Sequence, residues 1–395
     1  MLSECRFTGG YGGIAEDSYD VDRPRTAGTA TGDVEISHCT FDGLSTGIDL
    51  YLPYLHLVRS TVRDDAYGIV CGNCEIDHST FENNTAVALW EVEGSATVDH
   101  SSFTGNSAAT IQILGWGRPL TILSSHLYEN SGAPAVSFVG PAVQTTVLTI
   151  EDSVIENKTG GGISASPDGS SVELRMERTR VSANHGAAVG GGIEITNGYQ
   201  CVIADSTISD NSATLAGGGL ALEVSESTIV NTTISGNQAP KGGGIYVPYE
   251  GTSVQLTNVT IAGNQARRGS AFYLQGEEGV ASVVSARNLL VSGDCARLPG
   301  GSGFASEGGN VEGPGDSCGF DLPTDRHGVA RLGLGPLRDN GGPTPTQALS
   351  RTSPAIDAGL STACPRTDQR GEPRPADGNH DGSAACDAGA FERER

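Results

Sequence analysis

The sequence has few of the residues that a nucleic-acid-binding or membrane-spanning protein needs. Lysine and arginine together number 24 of 395 residues, against 47 aspartates and glutamates, so the net charge is -23 and the pI is near 4.6. Lys158 and Lys241 are the only lysines. This charge argues against nucleic acid and anionic membrane surfaces as partners. No apolar run approaches the ~18 residues of a transmembrane helix, so no transmembrane segment is expected.

Large side chains are also scarce, which argues against a conventional helical core. The chain has 2 Met and 2 Trp, and aromatic residues make up 5% of it, whereas Gly occurs 56 times. The apolar residues form short alternating runs rich in Val, Ile and Thr, which favour strands over helices. We therefore expect an all-β protein.

One short pattern recurs along most of the chain. Clear copies lie at residues 201–211 (CVIADSTISDN), 227–237 (STIVNTTISGN) and 254–264 (VQLTNVTIAGN). A fixed period in this range is typical of stacked supersecondary units. The closing asparagines recur at steps of 22 to 27 residues, at Asn84, Asn106, Asn130, Asn157, Asn184, Asn211, Asn237 and Asn264.

Each repeat contains two alternating apolar runs, one before and one after the asparagine, which predict two short strands joined by a tight corner. So short a repeat leaves no room for a crossover helix, so each strand must pair in parallel with its counterpart in the next repeat. The prediction is a right-handed parallel β-helix, a pectin-lyase-like solenoid of about twelve coils. A leucine-rich horseshoe is the alternative, but its leucine pattern is absent.

Two columns of equivalent residues are expected to shape the coils. The asparagines above could form a ladder of amide hydrogen bonds inside the solenoid. A second column is rich in residue types that tolerate a positive φ, which predicts a corner in the left-handed conformation. Its members are His38, Arg59, His78, His100, Ser124, Asp152, Arg178, Asp205, Asn231 and Asn258.

The repeat disappears near Cys295, after which Gly, Pro and Cys accumulate. We therefore expect a β-helix over residues 1–294, a linker or closing loop over 295–330, and a small turn-rich domain over 331–395 that caps the open end of the solenoid.

Nine cysteines are present. Disulfides are expected between Cys295 and Cys318 and between Cys364 and Cys386, because those segments lack a dense core. Cys5 and Cys39 occupy equivalent repeat positions and could meet on adjacent coils. Cys71 and Cys74 have redox or zinc spacing, but a local or inter-coil pair is favoured.

Four ordered motifs in the last quarter carry a family resemblance. They are LGPLRDNGGPTPT at residues 334–346, SPAIDAG at 353–359, DQRGEPRP at 368–375 and CDAGAFE at 386–392. Together they resemble the choice-of-anchor Q domain, and the Gly-Gly-Gly-Ile and Ile-Ser-Gly-Asn motifs upstream are weakly similar to repeats of polymorphic outer membrane proteins. These resemblances imply an extracellular or bacterial cell-surface location and an adhesin-like role towards polysaccharides or other surface ligands. We expect a monomer.

A polysaccharide lyase, epimerase or glycoside hydrolase is the alternative function, since many β-helices carry such activities. A hydrolase would need two carboxylates facing each other across a groove. A groove of this kind would lie on the third to fifth coils, where the candidate catalytic residues are Asp64, Asp65, His78, Glu91, Glu93 and His100. The two Asp-His pairs also follow the corner column, which favours a structural role for them.

Residues 377–382 (DGNHDG) resemble the first half of a calcium loop. Asp377, Asn379 and Asp381 alternate and are followed by glycine, so their oxygens could converge on one ion. Asp387 could supply a further ligand, because the position of the usual glutamate holds alanine. Calcium is the candidate cofactor, and a plain polar turn is the alternative.

Overall fold

The computed structural model describes residues 1–15, 32–92, 94–114, 118–139, 145–166, 171–248, 251–276, 282–298 and 303–394. The chain divides into two compact units, Met1–Val172 and Glu173–Arg395. Within the described ranges no helix is long and apolar enough to cross a membrane.

The first unit is a solenoid of parallel strands, as the repeat predicted. Its first sheet contains Leu2–Ser3, Ile14–Ala15, Val34–Ser37, Thr46–Val58, Tyr67–Asp77, Leu89–Glu91, Ala96–Asp99, Ile111–Leu114, Leu120–Leu123, Val136–Val139, Thr146–Glu151 and Ile163–Ala165. Its second sheet contains Arg6–Gly10, Thr40–Leu44, Thr61–Arg63, Thr80–Glu82, Ser102–Thr104, His126–Tyr128 and Val154–Glu156. Each second-sheet strand pairs in parallel with the strand one repeat later.

The second unit repeats this arrangement. First-sheet strands are Val172–Glu177, Ile193–Ala204, Leu220–Val230, Ile245–Val247, Ser253–Thr257, Phe272–Leu274, Val283–Arg287, Cys295–Arg297 and Gly303–Gly308. Second-sheet strands are Arg180–Ser182, Thr207–Ser209, Thr233–Ser235, Thr260–Ala262, Leu290–Val291 and Val311–Glu312. Ala187–Val189 and Ala213–Ala216 form a short parallel pair, Leu334–Arg338 and Thr346–Leu349 an antiparallel one, and Ser361–Ala363 a 3₁₀ turn.

The parallel β-helix is therefore confirmed. With one second-sheet strand per coil, seven described strands in the first unit and six in the second differ slightly from the predicted twelve coils. Identical positions stack from coil to coil inside the solenoid. The rings of Phe81 and Phe103, for example, lie 4.4 Å apart and within 9° of parallel.

The predicted corner column is confirmed at all ten positions, whose φ angles lie between 44° and 55°. At each coil, one residue in the left-handed conformation turns the chain from the first sheet into the second. Asparagine, aspartate and histidine are the non-glycine residues that tolerate this conformation best, which explains seven of the ten members. The other three are Arg59, Ser124 and Arg178.

The asparagine ladder is also present, with one correction. In the first unit Nδ2 of Asn84 donates to Oδ1 of Asn106 at 2.9 Å, and Asn106 donates to Asn130 in the same way. We placed Asn157 in this column, and that was wrong. Asn157 is exposed at φ 55°, and Lys158 occupies the ladder position. The sequence alignment was one residue out of register, because Ile155 and not Val154 pairs with Leu127.

Lys158 replaces an amide with an ammonium group that is fully buried. Its Nζ donates to the carbonyl oxygens of Ala108 at 2.7 Å and Ser131 at 2.6 Å. Burial lowers the pKa of Lys158 to about 7. The side chain thus links its own coil to the two preceding coils through these carbonyl groups.

A second internal ladder, which the sequence analysis missed, follows the corner column. Backbone N–H of Ser60 donates to Oγ of Ser79, and the pattern repeats from Ser79 to Ser101 and from Ser101 to Ser125 at 3.0–3.1 Å. Each hydroxyl also donates to the carbonyl two residues earlier. This column satisfies the backbone groups that the corner leaves unpaired.

The solenoid extends beyond residue 294, where a linker was expected. The strand at Cys295–Arg297 pairs with Phe272–Leu274, and Val311–Glu312 pairs with Leu290–Val291, both in parallel. Parallel pairing uses backbone groups, so these coils continue although the apolar and asparagine signals have faded.

The C-terminal segment lies along the side of the solenoid in the second unit. Gln369 exchanges hydrogen bonds with Thr207 and Thr233 at 2.9 and 2.6 Å, and the N–H of Ala390 donates to Thr260 at 2.9 Å. The segment therefore contacts the side of three successive coils, whereas the sequence predicted a cap at the end of the solenoid. The threonines are accessible to it because they point outward at the start of successive second-sheet strands.

Four disulfides tie the chain together. Cys295–Cys318 and Cys364–Cys386 confirm the predicted pairs, and Cys5–Cys39 and Cys71–Cys74 complete the set. Cys201 is a buried thiol whose pKa is raised to about 12 by burial.

Candidate functional site

The two candidate acids at the third coil lie at the corner that follows the strand Thr61–Arg63. Asp64 is exposed, whereas Asp65 is buried and occupies the position of the asparagine ladder. Oδ1 of Asp65 accepts the N–H of Leu44 at 2.6 Å, and its own N–H donates to Oδ1 of Asn84 at 3.2 Å. Burial raises the pKa of Asp65 to about 6. These contacts give Asp65 the role of a ladder residue.

Glu91 points into the solenoid. In the strand Leu89–Glu91 the alternation places Leu89 and Glu91 inside, with Glu91 only 2% exposed. The Glu91 carboxylate accepts the N–H of Gly94 in the following turn. Glu93 lies outside the described residues. An outward-facing acid was expected here, and the period-2 alternation of the strand explains why Glu91 is not one.

The structure brings His78 and His100 together. They occupy the corner column on consecutive coils, and their rings stack at 4.7 Å between centroids with planes 4° apart. Nδ1 of His78 is 2.6 Å from Oδ1 of Asp77, and Nδ1 of His100 is 2.8 Å from Oδ1 of Asp99. Asp77, His78 and His100 each place one possible metal-ligand atom within 4.8 Å of the other two. Among the described residues, this is the group of three such side chains that could hold a metal ion.

The five candidate catalytic residues that the structure describes do not converge on one groove. His78 and His100 lie at the corner before the second-sheet strands, and Asp64 and Asp65 lie at the corner after them. Of the described candidates on different coils, His78 and His100 are brought into contact.

An aromatic pair that the sequence analysis overlooked lies on the same unit. Tyr67 and Trp90 stack at 5.7 Å between ring centroids with planes 25° apart, and both are partly exposed. Trp90 is the outward residue between Leu89 and Glu91, so strand alternation was the signal that could have identified it. The outward positions beside it, in register on neighbouring coils, are Asp49, Val70, Gln112, Ser137 and Ser164.

The predicted calcium loop forms a tight exposed turn. Asp377 and Asn379 accept the N–H of Asp381 at 3.2 and 2.8 Å, and Asp381 accepts the N–H of Ser383 at 2.9 Å. A further carboxylate, Asp357, lies next to the loop. Burial raises its pKa, and the charges of Asp381 and Asp377 contribute to this shift.

Asp387 belongs to the interior of the C-terminal segment. It is fully buried, and its carboxylate accepts the N–H groups of Asp357 at 2.8 Å and Arg393 at 2.7 Å. Burial, reinforced by Glu392, raises the pKa of Asp387 to about 7. Asp387 therefore positions the backbone of Asp357, and Asp357 presents its side chain to the loop.

Comparison with protein families identifies the solenoid. Residues 26–189 and 142–311 match the profile described as right handed beta helix region, which covers most of the chain. The chain belongs to the right-handed β-helix family. No curated protein and no solved structure gives a significant match.

Membership of the right-handed β-helix family accounts for the parallel strands, the corners and the internal ladders. The matched region ends at residue 311, so the C-terminal segment lies outside it. The resemblances to the choice-of-anchor Q domain and to polymorphic outer membrane proteins stay predictions.

Proposed function

We propose that this β-helix protein is a binding scaffold for glycans, displayed on the bacterial cell surface or released from the cell. The observation that carries the proposal is the Tyr67–Trp90 pair on the outer face of the first unit. Aromatic faces are apolar and electron-rich, so they suit the C–H face of a sugar ring. A location outside the cell is supported by the four disulfides, which persist in oxidising compartments.

The surroundings of the pair match an extended sugar chain. Gln112 and Ser164, both partly exposed, follow Trp90 at equivalent outward positions of later coils, and Ser137 between them is largely buried. Neighbouring coils are about 4.8 Å apart. This spacing is close to the length of one sugar unit, so Gln112 and Ser164 could each offer a polar contact to the hydroxyl groups of a chain that runs across the coils. A linear glycan lying across the coils is therefore the ligand that the face fits best.

A glycan array followed by calorimetry with the best ligand tests the proposal. Trp90→Ala should weaken binding by about tenfold or more, since removal of an aromatic anchor typically costs at least 1–2 kcal/mol. Tyr67→Phe, which keeps the stack, should bind like the wild type. Tyr199→Ala removes an exposed tyrosine of the second unit and serves as the control. Binding unchanged in Trp90→Ala, or no glycan bound at all, would overturn the proposal.

The enzymatic alternative has one observation in its favour, the two Asp-His pairs on adjacent coils. Carboxylates beside histidines are suited to proton transfer. Incubating the protein with acidic polysaccharides and measuring new chain ends separates the two functions. Cleavage or epimerisation that is lost in His78→Asn would favour the enzyme over the scaffold.

A further inference from the structure

The stacked histidines of the first unit form a donor set that the repeat does not require. The corner column needs only residues that tolerate a positive φ, and arginine, serine, aspartate and asparagine all occupy it elsewhere. His78 and His100 coincide on consecutive coils, where the parallel register aligns Asp77 with Asp99. Identical backbone conformations then hold the two rings parallel, with centroids 4.7 Å apart.

Each imidazole has a carboxylate at Nδ1. The distances are 2.6 Å from His78 to Asp77 and 2.8 Å from His100 to Asp99. A carboxylate beside one ring nitrogen is the usual companion of a metal-ligating histidine, because it makes the other nitrogen more basic. Asp77 is also close enough to both rings to ligate an ion itself, in which case it leaves Nδ1 of His78.

The side chains are free to adjust around an ion. His78 and His100 are 47% and 53% exposed, so neither ring is fixed by packing on its outer side. Zinc binds each imidazole nitrogen at about 2.0–2.1 Å. Two nitrogens bound to one zinc are therefore closer together than the centroids of these stacked rings, which are 4.7 Å apart. Closing this difference takes a rotation of the exposed side chains, which start with one ligand atom each from Asp77, His78 and His100 within 4.8 Å of the others.

We propose that Asp77, His78 and His100 bind one divalent transition-metal ion, with zinc as the reference ion. Two imidazole nitrogens and one carboxylate oxygen favour zinc or copper over calcium and magnesium, which prefer oxygen ligands alone. Asp99 contributes through its charge, which at 2.8 Å from Nδ1 of His100 makes the other nitrogen of that ring more basic. The site leaves part of the ion's coordination sphere open to water or to a ligand group, and it is independent of the proposed glycan face.

Zinc titration of metal-free protein by calorimetry, in excess magnesium to fill acidic surface positions, tests the site. One equivalent should bind to the wild type. His78→Asn and His100→Asn should each weaken binding by about tenfold or more. Asparagine is the matched replacement because Asn231 and Asn258 occupy the same corner conformation, so the fold should persist.

His38→Asn is the control variant. His38 has the same corner conformation, but Arg59 separates it from the pair, so its removal should leave zinc affinity unchanged. Cobalt gives a second readout, since a histidine-bound ion should produce a visible absorption band that both single variants lose. Zinc bound equally well by the His78→Asn/His100→Asn double variant, or no binding by the wild type, would refute the site.

Discussion

Asn211 offers the most direct test of how the solenoid is held together. Its Nδ2 donates to the carbonyl of Val181 at 2.9 Å and to Oδ1 of Asn237 at 3.0 Å. Its Oδ1 accepts both the backbone N–H and the side-chain amide of Asn184, at 3.0 and 2.9 Å. The side chain is fully buried, so water does not replace these bonds readily.

Asn211→Ala removes the acceptor of two buried donors on Asn184. Each buried group left without its partner costs about 1–3 kcal/mol, so the expected loss of stability is about 2–6 kcal/mol. Denaturant unfolding followed by circular dichroism measures this loss. Asp210→Gly is the matched control, because Asp210 is exposed at φ 55° and glycine occupies the equivalent position at Gly236. A loss in Asn211→Ala no larger than that in Asp210→Gly would refute the ladder.

Replacing two neighbouring ladder asparagines together should give a non-additive loss of stability. Asn237→Ala should cost about as much as Asn211→Ala, because Asn237 accepts from and donates to its neighbours in the same pattern. The two residues share a hydrogen bond, so the double variant should lose less than the sum of the single losses. Additivity within about 0.5 kcal/mol would show that the amides act independently.

Two further predictions concern ionisable groups. The pKa of Asp65 is raised to about 6 in the folded state. Between about pH 4 and 6 the folded state therefore holds a proton on Asp65, whereas the unfolded state has released it. The free energy of unfolding should fall as the pH rises through this window. Asp65→Asn should remove the contribution of Asp65 to that slope, which makes the slope shallower, and should be more stable than the wild type at pH 7. Calcium added to chelator-treated protein should raise the melting temperature, by an amount equivalent to about 2.7 kcal/mol at a hundredfold excess over Kd. The same titration of Asp377→Ala/Asp381→Ala should give no shift, and an equal shift would reduce residues 377–382 to an ordinary turn.

The coils were predictable because their signals are local and repeated. Alternating apolar residues mark each strand, and a residue tolerant of positive φ marks each corner. A wrong assignment in one repeat can therefore be recognised by comparison with the repeats on either side. The error at Asn157 shows the limit of this redundancy. Asparagine suits both the corner conformation and the ladder, and the sequence Ile155-Glu-Asn-Lys158 places it at the corner while a lysine takes the ladder position.

The position of the C-terminal segment could not be predicted in the same way. Gln369 reaches Thr207 and Thr233, which are more than 130 residues earlier in the chain. Nothing in the periodicity indicates that contact, since the outward threonines look like ordinary solvent-facing strand residues. The family-like motifs at residues 368–375 and 386–392 prove to pack together, where Arg374 lies 3.4 Å from Glu392 in the interior.

Function is hard to predict in a solenoid because every outward residue has neighbours that are distant in sequence. Two side chains meet when they occupy the same column on consecutive coils, so a useful search compares residues one period apart and not adjacent ones. His78 and His100 satisfy this criterion, and the sequence analysis did single them out. Tyr67 and Trp90 occupy different columns, and their stacking depends on the register of strands around residue 70, which only the structure supplies. Zinc binding therefore tests an inference from the period, whereas glycan binding tests one from the three-dimensional fold.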